Sequence, residues 1–274
     1  MQGTFFVARM NRFTKSMMPR FLRLIIVRGM QLSCNVLKIF FYLHFWLLPS
    51  KRYEIPTFSK PLVRSKESPA IPKLLWQTNY TKKVTLPVYF NYIWNRMLAP
   101  TFEYRLFSDE ECLKYVKQHF DGPIADAYAK LQVGAAKADF WRVLVLWREG
   151  GVYLDVDAAL CWPPELTFQE GQSELLIHQN GNITNFYMAS APKNRLMMEI
   201  VQQILSNIQQ NTIESVFDMT GPTVVHAISR REGAELDVAR MVSRQGLLTS
   251  KIFQYADKPR GHWGVEQQDK KIVQ

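Results

Sequence analysis

The chain has 274 residues, 47% of them hydrophobic and 13% aromatic, enough apolar material for one large domain or two small ones, which excludes wholesale disorder. Its three cysteines, Cys34, Cys112 and Cys161, exclude a disulfide framework, and no Cys/His spacing matches a structural zinc site. The net charge of +10 is unevenly placed: residues 1–52 hold nine Lys or Arg and no Asp or Glu, while 53–274 hold 25 basic and 24 acidic residues, so no basic body points to nucleic acid.

Residues 1–52 read as a basic, apolar helical arm. Its apolar runs include Leu24–Val27, Ile39–Leu43 and Phe45–Leu48, and the stretches free of Lys and Arg, 29–37 and 39–50, fall short of the about 20 residues a spanning helix needs. At a helical period Arg20, Arg28, Gln31, Asn35 and Lys38 share one stripe. That pattern predicts a helix lying in a membrane interface with its cations toward anionic head groups, and Tyr42 and Trp46 suit the same depth. A single-pass anchor and a helix packed on the body are the alternatives. Because the excess charge sits in the arm, removing it is expected to free the body from membranes without harming its activity. Residues 53–70 continue a Pro- and Ser-rich stretch (Pro49, Pro56, Pro61, Pro69, Pro72) that reads as a semi-rigid linker. The body is then 71–274.

In the body, 71–77 reads as a strand, 86–97 as an aromatic-bearing helix and 104–107 as a short strand. Ser108 with Glu111 forms a capping box that opens a helix to about 120, stopped by Asp121-Gly122-Pro123. Helices follow over 123–131 and 135–149, the latter ended by Gly150-Gly151. Strands are predicted at 152–155, 174–178 and 186–189, then a helix over 192–208. Alternating strands and helices imply an α/β layer fold with a mostly parallel or mixed sheet.

Asp155 and Asp157 stand two apart at the end of an apolar strand, so both carboxylates are expected on one side. Adjacent carboxylates repel unless a cation lies between them, and Mg²⁺ or Mn²⁺ is commonly held by one or two carboxylates together with substrate phosphates. Two aspartates capping turns on a sheet edge would give the same spacing. On the preceding helix Asp139 and Arg142 share a face within an otherwise apolar run from Phe140 to Trp147. Such a pair is either a satisfied core ion pair or an acceptor and forked donor presented to a ligand.

Ile71-Pro72-Lys73, the 137–142 segment, Gly150-Gly151-Val152-Tyr153-Leu154-Asp155-Val156-Asp157 and Asn185–Ala189 with Pro192 resemble the sugar-transferase family that shares the DXD motif, glycosyltransferase family 32. That family includes capsular and lipooligosaccharide transferases and yeast initiating mannosyltransferases. Thr220-Gly221-Pro222 and His262-Trp263 resemble further landmarks. The resemblance implies a GT-A type, Rossmann-like nucleotide-sugar-binding domain with a mixed central sheet. It implies a retaining hexosyltransferase using a UDP- or GDP-sugar donor, a divalent metal (Mn²⁺ or Mg²⁺) and a glycan or lipid-linked acceptor. Asp155 and Asp157 would serve as catalytic residues holding metal and diphosphate. Asp139, Arg142 and Asn185 would line the donor site. Trp76, which stands where the family commonly has His, would stack on the base or belong to the core, and His262 is a candidate third metal ligand.

Two other classes compete. A metal-dependent phosphohydrolase wants Asp-x-Asp-x-Thr/Val, and Ala159 occupies the last place. A non-enzymatic membrane scaffold explains the arm but leaves the four charged residues without a use. Asn79-Tyr80-Thr81 and Asn182-Ile183-Thr184 are glycosylation sequons only if the chain enters a secretory lumen. The expected location is the cytoplasmic face of a bacterial inner membrane, with a single-pass type II protein as the alternative.

Overall fold

The computed structural model describes residues 19–274. The first part of the expected arm, with Arg9, Arg12 and Lys15, lies outside the described residues. Helix α1 (Arg20–Leu47) leads into β1 (Tyr53–Glu54), β2 (Phe58–Ser59), β3 (Leu74–Thr78), β4 (Lys83–Val84), α2 (Leu86–Leu98) and β5 (Glu103–Phe107). Three helices follow: α3 (Asp109–His119), α4 (Pro123–Lys130) and α5 (Gly134–Glu149). Next come β6 (Gly151–Leu154), β7 (Ala158–Leu160), β8 (Glu174–Gln179) and β9 (Asn182–Ser190). The chain closes with α6 (Arg195–Gln210), α7 (Val216–Met219), α8 (Pro222–Glu232), β10 (Leu236–Val238), α9 (Ala239–Val242), β11 (Ser243–Gln245), α10 (Lys251–Gln254) and α11 (Trp263–Asp269).

Seven strands form one mixed sheet in the order β10-β8-β9-β6-β3-β5-β2. β6, β3 and β5 run parallel, and β9 runs against both β6 and β8. The chain leaves β3 for β5 on one side and returns to β6 on the other. The strand order therefore reverses between β3 and β6, and in open α/β sheets ligands bind outside the carboxyl ends of strands at such a point.

Each strand alternates its side chains between two cores. Trp76, Tyr153 and Met188 face the layer holding α5 and α6, whereas Leu75, Val152, Leu154, Tyr187 and Ala189 face α2 and α1. Helix α5 is buried on every side from Phe140 to Leu146, which is why its sequence lacks a polar face. The capping box forms as read: Glu111 N donates to Ser108 Oγ at 3.3 Å and Ser108 N to Glu111 Oε2 at 2.8 Å. The turn from α5 into β6 needs glycine. Gly151 has φ +101°, and a Cβ there would lie 2.7 Å from Leu74 O.

Two expectations change. Within 53–70, β1 pairs with β4 and β2 forms the sheet edge beside β5, with Ile55 fully buried, so the first part of the expected linker is built into the body. Prolines suit such a place, because an edge strand tolerates a missing donor. The arm also packs one of its lines on the body, as its third alternative had it. Val27, Cys34 and Phe41, seven residues apart, are 1%, 3% and 1% exposed in the α2-side core. Phe41 lies 5.4 Å from Phe90, ring to ring, and Lys38 Nζ donates to Gly246 O. The Val27–Phe41 line and Lys38 thus meet the body, while Ile25, Leu32, Ile39 and Trp46 are 61–76% exposed. Among the described residues, Phe21–Leu47 is the helix long and apolar enough to cross a membrane. Here it lies along the body.

Candidate active site

At the carboxyl ends of β3 and β6 a cavity of about 460 Å³ is lined by Thr78, Asp139, Arg142, Asp155, Asp157 and Asn185, with Tyr255 and His262 on the far wall. The sequence leaves the strand at Leu154, so Asp155 and Asp157 converge through a turn and not through extended chain. Ala158 N donates to Asp155 O at 2.9 Å, closing that turn. The convergence itself holds. Gln245 Nε2 donates both to Asp155 Oδ2 at 3.1 Å and to Asp157 Oδ1 at 3.3 Å.

Asp139 and Arg142 prove to be an ion pair and a part of the site at once. Arg142 Nη2 lies 3.0 Å from Asp139 Oδ1 and 3.2 Å from Asp155 Oδ1. Its Nη1 donates to Asn185 O at 2.6 Å, and its guanidinium sits 4.5 Å from the centre of the Tyr153 ring. Asp139 accepts from Asn185 Nδ2 at 2.8 Å and from Thr220 Oγ1 at 3.3 Å. So α5, β6, β9 and the Thr220-Gly221-Pro222 corner meet in one network, and Arg142 fixes the orientation of Asp155.

On this floor three carboxylates face one guanidinium. Burial pushes the Asp139 carboxyl up to about 7 against the pull of Arg142. Burial, followed by the charge of Asp155, pushes Asp157 up to about 7. Asp155 is raised by burial too, with Arg142 opposing. Of the wall cations, Lys258 is paired with Glu266 at 3.2 Å. The electrostatics therefore favour a further cation between Asp155 and Asp157, where the Gln245 amide now bridges them. Two carboxylate oxygens aimed at one point, open to a cavity, are a fitting donor set for Mg²⁺ or Mn²⁺ completed by waters and phosphate oxygens.

His262 does not join the pair. Among the described residues no group of three His, Cys, Asp or Glu is placed to hold a metal. His262 Nδ1 accepts from Gly264 N at 3.3 Å as the cap of α11, and its ring meets Tyr255 edge-on. Trp76 is likewise not at the cavity. It is 1% exposed, its Nε1 donates to Gly150 O at 2.8 Å, and it packs edge-on against Trp141. In the middle of a strand flanked on both sides, it locks the Gly-Gly turn and cannot reach a base. Asn79, of the first sequon, is 8% exposed and donates to Thr81 O, while Asn182 is exposed at the rim.

Sequence reading missed Gln77, Asn91, Asn95 and Gln245. Gln77 Nε2 donates to Asp155 O at 3.2 Å, and Asn91 Nδ2 donates to Val156 O and Ala158 O at 2.9 Å each. The amides of Gln77, Asn91 and Asn95 bind backbone, and that partner leaves no mark in the sequence. Thr249 Oγ1 and Gly246 N both donate to Asp157 O.

Residues 87–180 match the family model described as a glycosyltransferase sugar-binding region containing the DXD motif. The chain is similar to the initiation-specific alpha-1,6-mannosyltransferase of Schizosaccharomyces pombe, 26% identical over 186 residues, covering 56% of this chain and 46% of the relative. The enzyme of that name from Candida albicans is 30% identical over 122 residues, 40% of this chain and 31% of the relative. The chain thus spans less than half the length of these curated relatives. They are fungal and lend no support to a bacterial inner membrane. A solved structure described as PaToxG glycosyltransferase superposes with a TM-score of 0.51 at 16% identity, covering 78% of this chain and 80% of that one. It bears on the fold alone.

Proposed function

We propose that this chain, whose residues 87–180 match the DXD-containing sugar-binding region of glycosyltransferases, transfers a hexose from a nucleoside-diphosphate donor to a glycan or lipid-linked acceptor. The observation that carries the reading is the shared target of Asp155 and Asp157, with Arg142 holding the first of them, at the reversal point of the sheet. Mannose is the first sugar to test, because the curated relatives are named as mannosyltransferases.

Asp155 and Asp157 would hold a divalent cation, which supplies Lewis-acid neutralisation of charge on the leaving diphosphate. Arg142 opposes the burial that raises the Asp155 carboxyl and keeps it aimed. Asp139 and Asn185 offer an acceptor and an amide to the sugar hydroxyls. No side chain on the floor is assigned as a nucleophile, so we place the acceptor hydroxyl on the same face as the leaving group. The bond from C1 to the diphosphate oxygen breaks, the bond from C1 to the acceptor oxygen forms, and the acceptor proton passes to the departing diphosphate. Configuration at C1 is retained. The exposed apolar side of α1 supports membrane association, in a compartment we leave unassigned.

The test is donor hydrolysis and transfer across a panel of UDP- and GDP-sugars, with Mn²⁺, with Mg²⁺ and with excess chelator. One donor should be turned over and chelator should abolish it. Undiminished turnover in chelator would remove the cation, and turnover of no donor would remove the transferase reading.

A further inference from the structure

Beside the arm lies a second cavity, of about 350 Å³, between α1 and the α9–β11 corner. Its walls carry Arg28, Gln31 and Asn35 from α1 and Arg240 and Arg244 from the corner, with Leu32 at the rim. None of these three arginines makes an ion pair or a side-chain hydrogen bond among the described residues. No acidic residue lines the groove. The positive charge is felt further in: burial and then the charge of Arg244 pull the Lys38 ammonium below its ordinary value. Three guanidiniums held around one groove without an anion present planar, forked donors of the kind that suits phosphate oxygens.

What lies next to the groove identifies the source of that phosphate. Along α1, Ile25, Leu32, Ile39 and Trp46 recur every seven residues and are 61%, 69%, 71% and 76% exposed. They form a continuous apolar line on a helix about 40 Å long. Arg28 and Asn35 stand between that line and the buried line of Val27, Cys34 and Phe41. Passing round the helix, one meets core, then arginine groove, then exposed hydrocarbon. This is the cross-section of a helix at a bilayer surface, with cations at head-group depth and apolar side chains below.

We propose that the α1/α9–β11 groove binds the phosphate head group of an anionic membrane lipid, with its acyl chains lying along the Ile25–Trp46 line. This rests on the membrane-facing reading of α1 and is independent of which sugar is transferred. It also locates what the sequence placed differently: the cations that meet the membrane are shared between arm and body, and act beside the helix, not beneath it.

The test uses the full chain and sedimentation with vesicles of phosphatidylcholine alone or equimolar with phosphatidylserine. Wild type should prefer the anionic vesicles. The triple variant Arg28→Gln, Arg240→Gln, Arg244→Gln, checked for folding by its melting curve, should lose about a hundredfold in affinity for them. A control triple, Lys66→Gln, Lys117→Gln, Lys130→Gln, removes the same charge from exposed positions elsewhere and should bind as wild type. Equal losses in both triples would make the attraction diffuse and overturn the groove. So would wild-type binding that ignores phosphatidylserine, or displacement from vesicles by millimolar inorganic phosphate at constant ionic strength, which would mark a site for free phosphate. A melting curve of the groove triple far below wild type calls for Arg240→Gln, Arg244→Gln alone, expected to lose about twentyfold.

Discussion

Asp157 sits where its neutral form is favoured until a cation arrives. Its carboxyl, like that of Asp139, titrates near 7 in the folded chain, against 3.8 ordinarily. A raised carboxyl contributes stability that is complete below its unfolded value and is lost as pH climbs through the folded one. The metal-free protein should therefore lose melting temperature between pH 5 and pH 8 through these two groups. Asp157→Asn should melt higher than wild type at pH 8 and show a smaller difference at pH 5, as read by scanning fluorimetry with chelator. The same variant should lose transfer by about 10² or more, because the charge of the leaving group goes unanswered. Arg142 gives a second prediction. Arg142→Lys keeps one charge but cannot serve Asp139, Asp155 and Asn185 O together. It should lower both the melting temperature and turnover per folded molecule, whereas a pure core pair would move the first alone.

Just beyond β6 the chain that carries both aspartates is held by a helix. Asn91 and Asn95, one turn apart on α2, give their amides to Val156 O and Ala158 O, and Asn95 Oδ1 accepts from Leu160 N at 2.8 Å. Asn91→Leu takes the side-chain donor from the buried Val156 O, at about 1–3 kcal/mol, while Ala158 O keeps the Asn95 amide. It should reduce the melting temperature and, by loosening the turn, reduce kcat more than donor KM. An unchanged kcat would show that the turn holds its shape without α2. This element also marks what the sequence could reveal. Hydrophobic period and caps made most helices and strands legible, and the spacing of Asp155 and Asp157 announced their convergence. Asn91 and Gln245 were not legible, because their partners are a backbone carbonyl and a carboxylate 88 residues away. Trp76 was legible as either a base-stacking ring or core, since an aromatic beside a motif looks the same in either role.

Seen whole, the protein uses α1 as a wall of its second core. Val27, Cys34 and Phe41 are buried there, and Met30, Leu37 and Phe45 pack against the same cluster. Fully burying one such side chain contributes about 1.5–3 kcal/mol, so the arm supplies an amount comparable with the 5–15 kcal/mol that stabilises a typical domain. Deleting residues 1–52 should therefore leave a chain that aggregates or melts far lower, in place of the soluble, active body expected from charge placement alone. Recovery of a soluble truncated protein with an unaltered melting curve would show that the arm is an appendage after all.

The three consecutive residues Arg244, Gln245 and Gly246 face three ways. Arg244 points into the lipid groove, Gln245 bridges the paired aspartates, and Gly246 takes the Lys38 ammonium on its carbonyl while giving its N–H to Asp157 O. A cation entering between the aspartates must displace the Gln245 amide, and so must shift the neighbours of that residue. Binding free energies linked in this way are reciprocal: whatever factor a head group applies to cation affinity, the cation applies to the head group. Vesicles containing phosphatidylserine should thus change the Mn²⁺ concentration at half-saturation, and Mn²⁺ should change vesicle affinity by an equal ratio. The two titrations together close a thermodynamic cycle across residues 244–246.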